Sequence, residues 1–211
     1  LESNVHHSLT SDDFIRTRSY LSLKKANEKK SNFSNREDFL KSLKLKLIIK
    51  SLKPINLKRA HQLITKTNQF NLTSERLTFS DLESRMNSKN YKYIMFSLED
   101  IYTNHGEIGL IGLSFKKNDI DIVHFLLSCR VLGRGIEYSM FNYIIDQTRC
   151  FPFKNLSSYY SINKNSEPAS NFYSDVGMKI VKKTKQRIDF NANIPNYGKR
   201  KIKWIEQKEI L

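Results

Sequence analysis

The sequence predicts an α/β (α+β) fold with a central mixed, mostly antiparallel sheet flanked by helices. Short apolar runs alternate along the chain with segments whose apolar residues recur at helical spacing. Three such runs within residues 91–128 are joined only by short polar turns, which favours an antiparallel meander. The last of them leads into a turn with two glycines and then into an amphipathic helix that starts at Ile136. The 211 residues, 39% of them hydrophobic, can form one domain with a sizeable core.

In chain order, residues 1–44 are predicted to form a helical, charged linker segment, and residues 45–211 the folded domain. Aromatic, β-branched or alternating runs predict strands, and apolar residues three or four positions apart predict helices. The predicted strands are residues 45–52, 91–98, 108–115, 120–128, 156–162, 178–181 and 187–190. The predicted helices are residues 14–26, 36–43, 57–67, 79–86, 136–145 and 169–176. Residues 104–107 and 116–119 are predicted to be turns.

The net charge of +15 results from 36 Lys and Arg residues against 21 Asp and Glu residues. The lysines are spread along the chain and no nucleic-acid-binding motif occurs, so a solvated surface explains the charge better than nucleic-acid binding. A third interpretation is an acidic partner, such as a small carrier protein with a phosphopantetheine arm, because opposite charges speed encounter.

Targeting and redox signals favour a cytoplasmic protein. The chain has no apolar run of about 18 residues, so we expect no membrane span. No signal-peptide pattern occurs, and the two cysteines do not make a disulfide framework. The first residue is Leu and not Met, from which we expect that the sequence is part of a longer protein.

The turn at residues 130–135 has the composition of a phosphate site. It follows a short apolar run and precedes a helix, whose N-terminus offers unpaired N–H groups and the positive end of the helix dipole. Gly133 and Gly135 lack a Cβ, so a diphosphate can approach the backbone, and either glycine can take a positive φ. The third glycine of a dinucleotide fingerprint and the Gly-Lys-Ser/Thr of a P-loop are both missing.

The polar stretch at residues 68–73 is open to two interpretations. Asn and Thr favour turns because their side chains bond nearby backbone, so the stretch can be a plain polar loop. Alternatively, its amide side chains face a polar ligand.

Residues 165–173 combine Asn165 with the pair Phe172-Tyr173, ahead of Gly177.

The order of elements, together with these motifs, resembles the GNAT acyltransferase fold. In that family Arg/Gln-x-x-Gly-x-Gly/Ala cradles the pyrophosphate of acyl-CoA, and Arg130, Gly133 and Gly135 match it. The resemblance implies that Arg130, Val131, Leu132, Gly133, Arg134, Gly135 and Asn165 bind the cofactor. It also implies that Tyr173 can protonate a departing thiolate. The alternative for Tyr173 is a buried aromatic residue whose hydroxyl is satisfied.

Two longer strings, residues 66–73 and 125–135, resemble the C-terminal half of FkbH-like proteins, which occur in polyketide biosynthesis. Such proteins join a HAD-type phosphatase half to a GNAT-like half, and load a glyceryl group as a thioester on an acyl carrier protein. This chain resembles the transferase half alone, and residues 1–44 correspond to the link between the halves. The implied cofactor is an acyl-CoA or phosphopantetheine-type thioester, with no metal in this chain.

The FkbH-like resemblance implies roles for four residues. A thiolate at Cys129 can accept an acyl group and pass it to a pantetheine thiol, with Arg130 and Arg134 nearby to favour the thiolate. The alternative is a buried cysteine that packs as a small hydrophobe. Asn68, Asn71 and His124 become candidate substrate contacts. Departures from the family pattern at Val123, His124 and Ile162 leave the acyl group open.

His124 and Cys129 lie five residues apart, so on one strand their side chains point to opposite faces and form no simple dyad. His61 and His105 remain candidate partners of the thiol, and no pattern links either to it. Two other functions stay open. One is a CoA-dependent N- or O-acetyltransferase, and the other is a non-catalytic module that docks a carrier protein.

Overall fold

The computed structural model describes residues 17–22, residue 24 and residues 33–210, and its strands within them form one sheet. The strands are β1 (Leu45–Ser51), β2 (Tyr91–Glu99), β3 (Asn104–Phe115), β4 (Asp119–Leu127), β5 (Asn155–Ser161), β6 (Lys179–Lys183), β7 (Arg187–Asn193) and β8 (Ile205–Ile210). The helices are α1 (Arg36–Ser42), α2 (Pro54–Lys66), α3 (Phe79–Met86), α4 (Ile136–Arg149) and α5 (Phe172–Asp175). Residues 17–22 are also helical, and 3-10 helices cover Cys129–Val131 and Lys164–Ala169.

The sheet runs in the order β6-β7-β5-β4-β3-β2-β1-β8. Five neighbouring pairs are antiparallel, whereas β4 with β5 and β1 with β8 are parallel. The predicted mixed, mostly antiparallel sheet and the β2–β3–β4 meander are therefore confirmed. The parallel β4–β5 pair is joined through α4, as a crossover connection requires.

Three details differ from the sequence-based prediction. Residues 104–107 are not a turn, because β3 begins at Asn104 and pairs with β2 through bulges near Ser97 and Leu98. The helix expected over residues 169–176 is divided into the second 3-10 helix and the four-residue α5. β8 had no predicted counterpart, since its sequence IEQKEI is mostly polar and its side chains are mostly exposed.

Two apolar clusters cover the two faces of the sheet. The larger cluster joins α1, α4 and α5 to one face, with Phe96, Phe125 and Phe141 fully buried in it. The smaller cluster joins α2 and α3 to the other face, around Ile64 and Leu126. α2 begins at Pro54, which is compatible with a first helical turn, and α3 begins with a capping box at Thr78.

The predicted boundary at residue 44 remains a prediction. α1 lies before it and places Phe39 and Leu40 in the larger apolar cluster. The predicted helix over residues 14–26 is seen at residues 17–22 and 24, and its remaining positions lie outside the described residues. Within the described part of the chain, no helix has the length and apolar character needed to cross a bilayer.

Candidate functional site

The parallel strands β4 and β5 pair only at their starts, from Asp119 to Asp121 on β4. Beyond that point residues 70–73 lie between the two strands. The N–H of Leu72 donates to the carbonyl of Phe125 at 3.2 Å, and its own carbonyl accepts from the N–H of Ser161 at 2.8 Å. The N–H of Leu127 donates to the carbonyl of Phe70 at 2.9 Å. The insert, residues 70–73, thus uses strand-edge groups of both β4 and β5.

Side chains also fix the insert in this position. Thr73 donates from Oγ1 to the carbonyl of Val123 at 2.8 Å, at the bulge where β4 gains one residue against β3. The buried Asn71 donates from Nδ2 to the carbonyl of Thr67 and accepts from the N–H of Ser74. Asn71 was predicted as a substrate contact, and its amide is bonded to Thr67 and Ser74, which flank the insert. The physical reason is that a buried amide needs local partners.

The glycine turn, residues 130–135, has the backbone that its glycines predict. Gly133 and Gly135 both have φ of +79°, in the left-handed region, so the expectation of positive φ is confirmed. Gly135 is the N-cap of α4, which has 14 residues. The predicted strand–turn–helix unit is therefore present.

The two arginines of the glycine turn point into the protein rather than above the turn. Arg130 is buried and donates to the carbonyl oxygens of His105 at 2.7 Å and Glu107 at 2.9 Å. Arg134 is buried and forms an ion pair with Asp100 at 2.8 Å. These two guanidinium groups are therefore engaged inside the protein, and the predicted cofactor contacts of residues 130–135 stay a prediction. Between the two arginines Val131 packs in the larger core and Leu132 is partly buried against it.

Two side chains from distant parts of the chain hold the outer side of the glycine turn. Arg36 on α1 donates to the carbonyl of Gly133 at 2.6 Å. Trp204, just before β8, donates from Nε1 to the carbonyl of Arg134 at 2.8 Å. The Trp204 ring also lies so close to Gly135 that a Cβ there would meet it at 3.2 Å. Position 135 therefore favours glycine for two reasons, the positive φ and the lack of room for a Cβ beside Trp204.

Cys129 lies directly after β4, at the first position of the 3-10 helix, and its side chain is exposed. The alternative of a buried, hydrophobe-like cysteine is therefore wrong. The thiol lines a cleft of about 250 Å³, which we call the Cys129 cleft. Its walls come from the helical segment 17–22, the second half of α2, the loop after α2 and the end of β4: Tyr20, Arg59, Gln62, Leu63, Lys66, Thr67, Asn68, Gln69, Ser128, Cys129 and Arg130.

The lining of the Cys129 cleft is polar and cationic. Arg59 and Lys66 project from one side of α2, seven residues apart, and no carboxylate occurs among the described lining residues. Arg59 is positioned by its contacts to Gln62 at 3.1 Å and to the carbonyl of Glu107 at 3.0 Å. Asn68, a predicted substrate contact, also lines the cleft, and its Oδ1 accepts from Arg76 at 2.7 Å. The arrangement suits a thiol nucleophile beside a polar or anionic acyl group.

Tyr173 and Asn165 lie apart from the Cys129 cleft lining. The Tyr173 side chain is 1% exposed, and its hydroxyl shares a 2.6 Å hydrogen bond with Ser158. Burial raises the pKa of Tyr173 far above its usual value. This placement corresponds to the alternative interpretation, a buried aromatic residue with a satisfied hydroxyl. Asn165 is exposed on the second 3-10 helix, and it is Asn163 that caps this helix.

His124 on β4 is fully buried and contacts a different set of groups. Its Nδ1 lies 3.5 Å from the Tyr93 hydroxyl, and its Nε2 lies 3.8 Å from a Glu75 carboxylate oxygen. That Nε2 has no hydrogen-bond partner among the described residues. Burial lowers the pKa of His124 to about 4, so the ring is neutral at pH 7. His124 does not line the Cys129 cleft, in agreement with the prediction that it forms no simple dyad with Cys129. His61 and His105 do not line this cleft either.

Several residues of the site were not predicted. Arg59 and Lys66 are seven residues apart on α2, a spacing that puts them on one helix face, but the same spacing is common on solvated helices. Asp100 and Trp204 carry no local motif, so their contacts to the glycine turn follow only from the three-dimensional fold. Among the described residues there is no group of three or more His, Cys, Asp or Glu side chains that could hold a metal ion.

Comparisons with solved structures agree with this architecture. A domain from Methanocaldococcus jannaschii DSM 2661 matches with a TM-score of 0.56 and 17% identity, covering 71% of this chain and 99% of that one. The ribosomal-protein-S18-alanine N-acetyltransferase from Escherichia coli matches with a TM-score of 0.55 and 13% identity, covering 70% and 94%. A mutant form of the spermidine/spermine N-acetyltransferase from Vibrio cholerae matches with a TM-score of 0.55 and 14% identity, covering 72% and 95%.

No protein-family model matches the sequence, and no curated protein matches it significantly. Identities this low show the fold alone. The chain therefore has the GNAT acetyltransferase fold, as the resemblance implied, and its chemistry has to be argued from its own residues.

Proposed function

We propose that this chain is an acyltransferase that holds a glyceryl-type acyl group on Cys129 and passes it to the phosphopantetheine thiol of an acyl carrier protein. The observation that carries the proposal is the exposed Cys129 thiol at the end of β4, inside a polar, cationic cleft. Cationic side chains near a thiol favour the thiolate, which is the nucleophilic form of cysteine.

The reaction consists of two exchanges at one carbonyl carbon. The Cys129 thiolate attacks the acyl carbonyl of an activated donor, a C–S bond forms, and the donor's leaving group departs with its electron pair. The pantetheine thiolate then attacks the new thioester, and Cys129 leaves as a thiolate. Both steps are acyl transfers, so no oxidant or reductant takes part. Arg59 and Lys66 would stabilise negative charge on the acyl group or on the carbonyl oxygen.

The insert supports a route through the Cys129 cleft. A pantetheine arm contains amide groups, which pair readily with the open edge of a strand. Residues 70–73 already bond to Phe125 and Leu127 on β4 and to Ser161 at the end of β5. An arm would therefore have to displace the insert to lie between β4 and β5, whereas the Cys129 cleft is a separate space lined by α2 and the end of β4.

The partner of this reaction would be an acidic carrier protein. The chain has 36 Lys and Arg residues against 21 Asp and Glu residues, so its net positive charge attracts an acidic protein and speeds their encounter. A HAD-type phosphatase half in the full-length protein would supply the activated acyl group, as the FkbH-like resemblance implies. Both of these partners are part of the proposal.

Intact-protein mass spectrometry tests the covalent step. The protein is incubated with a glyceryl thioester of N-acetylcysteamine and then with a phosphopantetheinylated carrier protein. We expect one glyceryl group on the wild-type chain, which moves to the carrier. Cys129→Ala should accept none, while Cys150→Ala should behave like wild type, because Cys150 is the other exposed cysteine and lies at the far end of α4. Equal loading of the carrier by Cys129→Ala would refute the thioester intermediate.

A second candidate is a CoA-dependent N- or O-acetyltransferase. The fold and the left-handed glycine turn at the start of α4 favour it. Calorimetry with CoA separates the two: this candidate requires tight CoA binding and full activity in Cys129→Ala. The third candidate, a non-catalytic docking module, predicts salt-sensitive carrier binding without turnover by any variant.

A further inference from the structure

A buried polar network joins the helical segment 17–22 to the glycine turn. His105 Nδ1 lies 2.9 Å from the Ser19 hydroxyl, and His105 Nε2 lies 2.8 Å from Asp100 Oδ2. The same carboxylate oxygen accepts from Arg134 at 2.8 Å and from the Ser22 hydroxyl at 3.3 Å. We call these five residues the Asp100 network.

The Asp100 network has the order of groups found in hydrolytic triads, namely hydroxyl, imidazole and carboxylate. Its burial excludes that chemistry, because Ser19 and His105 are both 0% exposed and no substrate can reach the hydroxyl. Asp100 is also occupied by the N–H groups of Tyr102 and Thr103. The function of the network is therefore to hold its members in place.

The segment held by the Asp100 network also forms a wall of the Cys129 cleft. Tyr20, which directly follows Ser19, lines the cleft and is 57% exposed. At the other end of the network, Arg134 belongs to the turn that starts one residue after Cys129. The network thus contacts both the wall of the cleft and the segment that carries the thiol.

We infer that Ser19 and Ser22 are positioning residues that couple the docking of segment 17–22 to the closure of the Cys129 cleft. With both hydroxyls bonded to the Asp100 network, Tyr20 is held in the lining of the Cys129 cleft and narrows the access of bulky molecules to it. When the segment undocks, the Cys129 cleft opens at Tyr20. Asp100, the ion-pair partner of Arg134, then loses its hydrogen bond from Ser22. The inference rests on the proposed function only in taking the Cys129 cleft as the place where the acyl group is handled.

Alkylation of the two cysteines tests this coupling without any acyl substrate. The full chain is treated with a bulky maleimide, and the rates at Cys129 and Cys150 are followed separately by peptide mass mapping. Loss of two buried hydrogen bonds of about 1 kcal/mol each should raise the rate at Cys129 by up to about 30-fold in the double variant Ser19→Ala/Ser22→Ala. The rate at Cys150 should stay unchanged, because that thiol lies at the end of α4.

Tyr20→Ala is the matched variant, because it removes the wall and leaves both network hydroxyls. It should raise the Cys129 rate to a similar extent without lowering the melting temperature. An unchanged ratio of the Cys129 rate to the Cys150 rate in either variant would overturn the inference, including the case in which both rates rise together. Since the maleimide needs no acyl transfer, the result is readable even if Cys129 carries no acyl group.

Discussion

The Asp100 network and the Cys129 cleft lie on either side of the same short turn and use their charges in opposite ways. In the network, Arg134 is buried and its charge is matched by Asp100 at 2.8 Å. In the cleft, Lys66 is exposed and Cys129 presents a thiol to solvent. The difference shows that one short segment can hold buried arginines in the core and also present a thiol to solvent, because Cys129 is exposed while Arg130 and Arg134 are buried. Substitutions should therefore cost stability on one side and activity on the other.

The largest loss of stability is expected from Asp100→Asn. Removing this carboxylate leaves the buried Arg134 without its counter-charge, which typically costs about 3–5 kcal/mol. Urea denaturation at pH 7 measures the effect. Asp146→Asn is the matched control, because Asp146 also pairs with a cation, Lys199, but on the surface. That control should lose less than about 1 kcal/mol, and an equal loss in both would contradict the contrast.

The free energy of unfolding measured over a range of pH tests how a buried histidine without a close ion pair, His124, affects stability. His124 is buried like His105 but lacks an ion pair at hydrogen-bond distance, and its pKa is lowered to about 4 from 6.5. The unfolded chain therefore binds the proton more readily, and the stability from the neutral ring is complete above pH 6.5. As the pH falls to about 4, roughly 3 kcal/mol of unfolding free energy should be lost.

His124→Gln removes this titration and leaves the neighbours Tyr93, Glu75 and Arg85 in place. The difference in unfolding free energy between wild type and this variant should change between pH 6.5 and pH 4. Curves that run parallel across that range would show that His124 takes up no more protons in the unfolded chain than in the folded one.

The two glycines of the turn separate backbone strain from packing. Both have φ of +79°, but only Gly135 has the Trp204 ring within 3.2 Å of a Cβ position. Gly133→Ala should cost about 1 kcal/mol from the left-handed backbone alone, and Gly135→Ala about 2 kcal/mol. Thermal unfolding of both variants checks this order. A smaller loss for Gly135→Ala would mean that the Trp204 ring moves away at little cost.

The smallest effect on stability, and the clearest on activity, is expected from Lys66→Gln. This residue is exposed at the end of α2, so unfolding free energy should change by less than about 0.5 kcal/mol. Under the proposed function, the lost cation should slow acyl loading of Cys129 about tenfold. Lys58→Gln on the same helix, which does not line the Cys129 cleft, is the control. Equal rates in both variants would remove Lys66 from the site.

The sequence predicted best where local pattern and local structure coincide. Strands β1 to β5, helices α2 to α4 and the glycine turn follow from periodicity and from the conformational freedom of glycine. Its prediction of a thiol at the end of β4 also holds, because strand length fixes where β4 stops. The direction of the arginine side chains in the turn could not be predicted from sequence. Arg130 bonds to His105 on β3 and Arg134 pairs with Asp100, and no local pattern reveals either partner.

The insert shows the same limit from another side. Residues 70–73 (FNLT) alternate between apolar and polar side chains, but only over four residues, and they lie in the stretch 68–73, which holds three amide side chains, two of them from turn-forming Asn. Sequence alone therefore cannot tell a loop from a segment that completes a sheet. Only the separation of β4 from β5 creates the strand edges that the insert uses. Asn71 accordingly has partners within the chain, whereas Asn68 lines the Cys129 cleft.

The position of Trp204 makes the protein its own reporter. Trp204 is the only tryptophan of the chain, and its indole lies against Gly135 and donates to the carbonyl of Arg134. Intrinsic tryptophan fluorescence therefore comes from one place, the outer side of the glycine turn. A ligand that reaches this turn, or a change in its packing, alters the emission spectrum without any label. Stopped-flow fluorescence can thus time events at the turn separately from those in the rest of the domain.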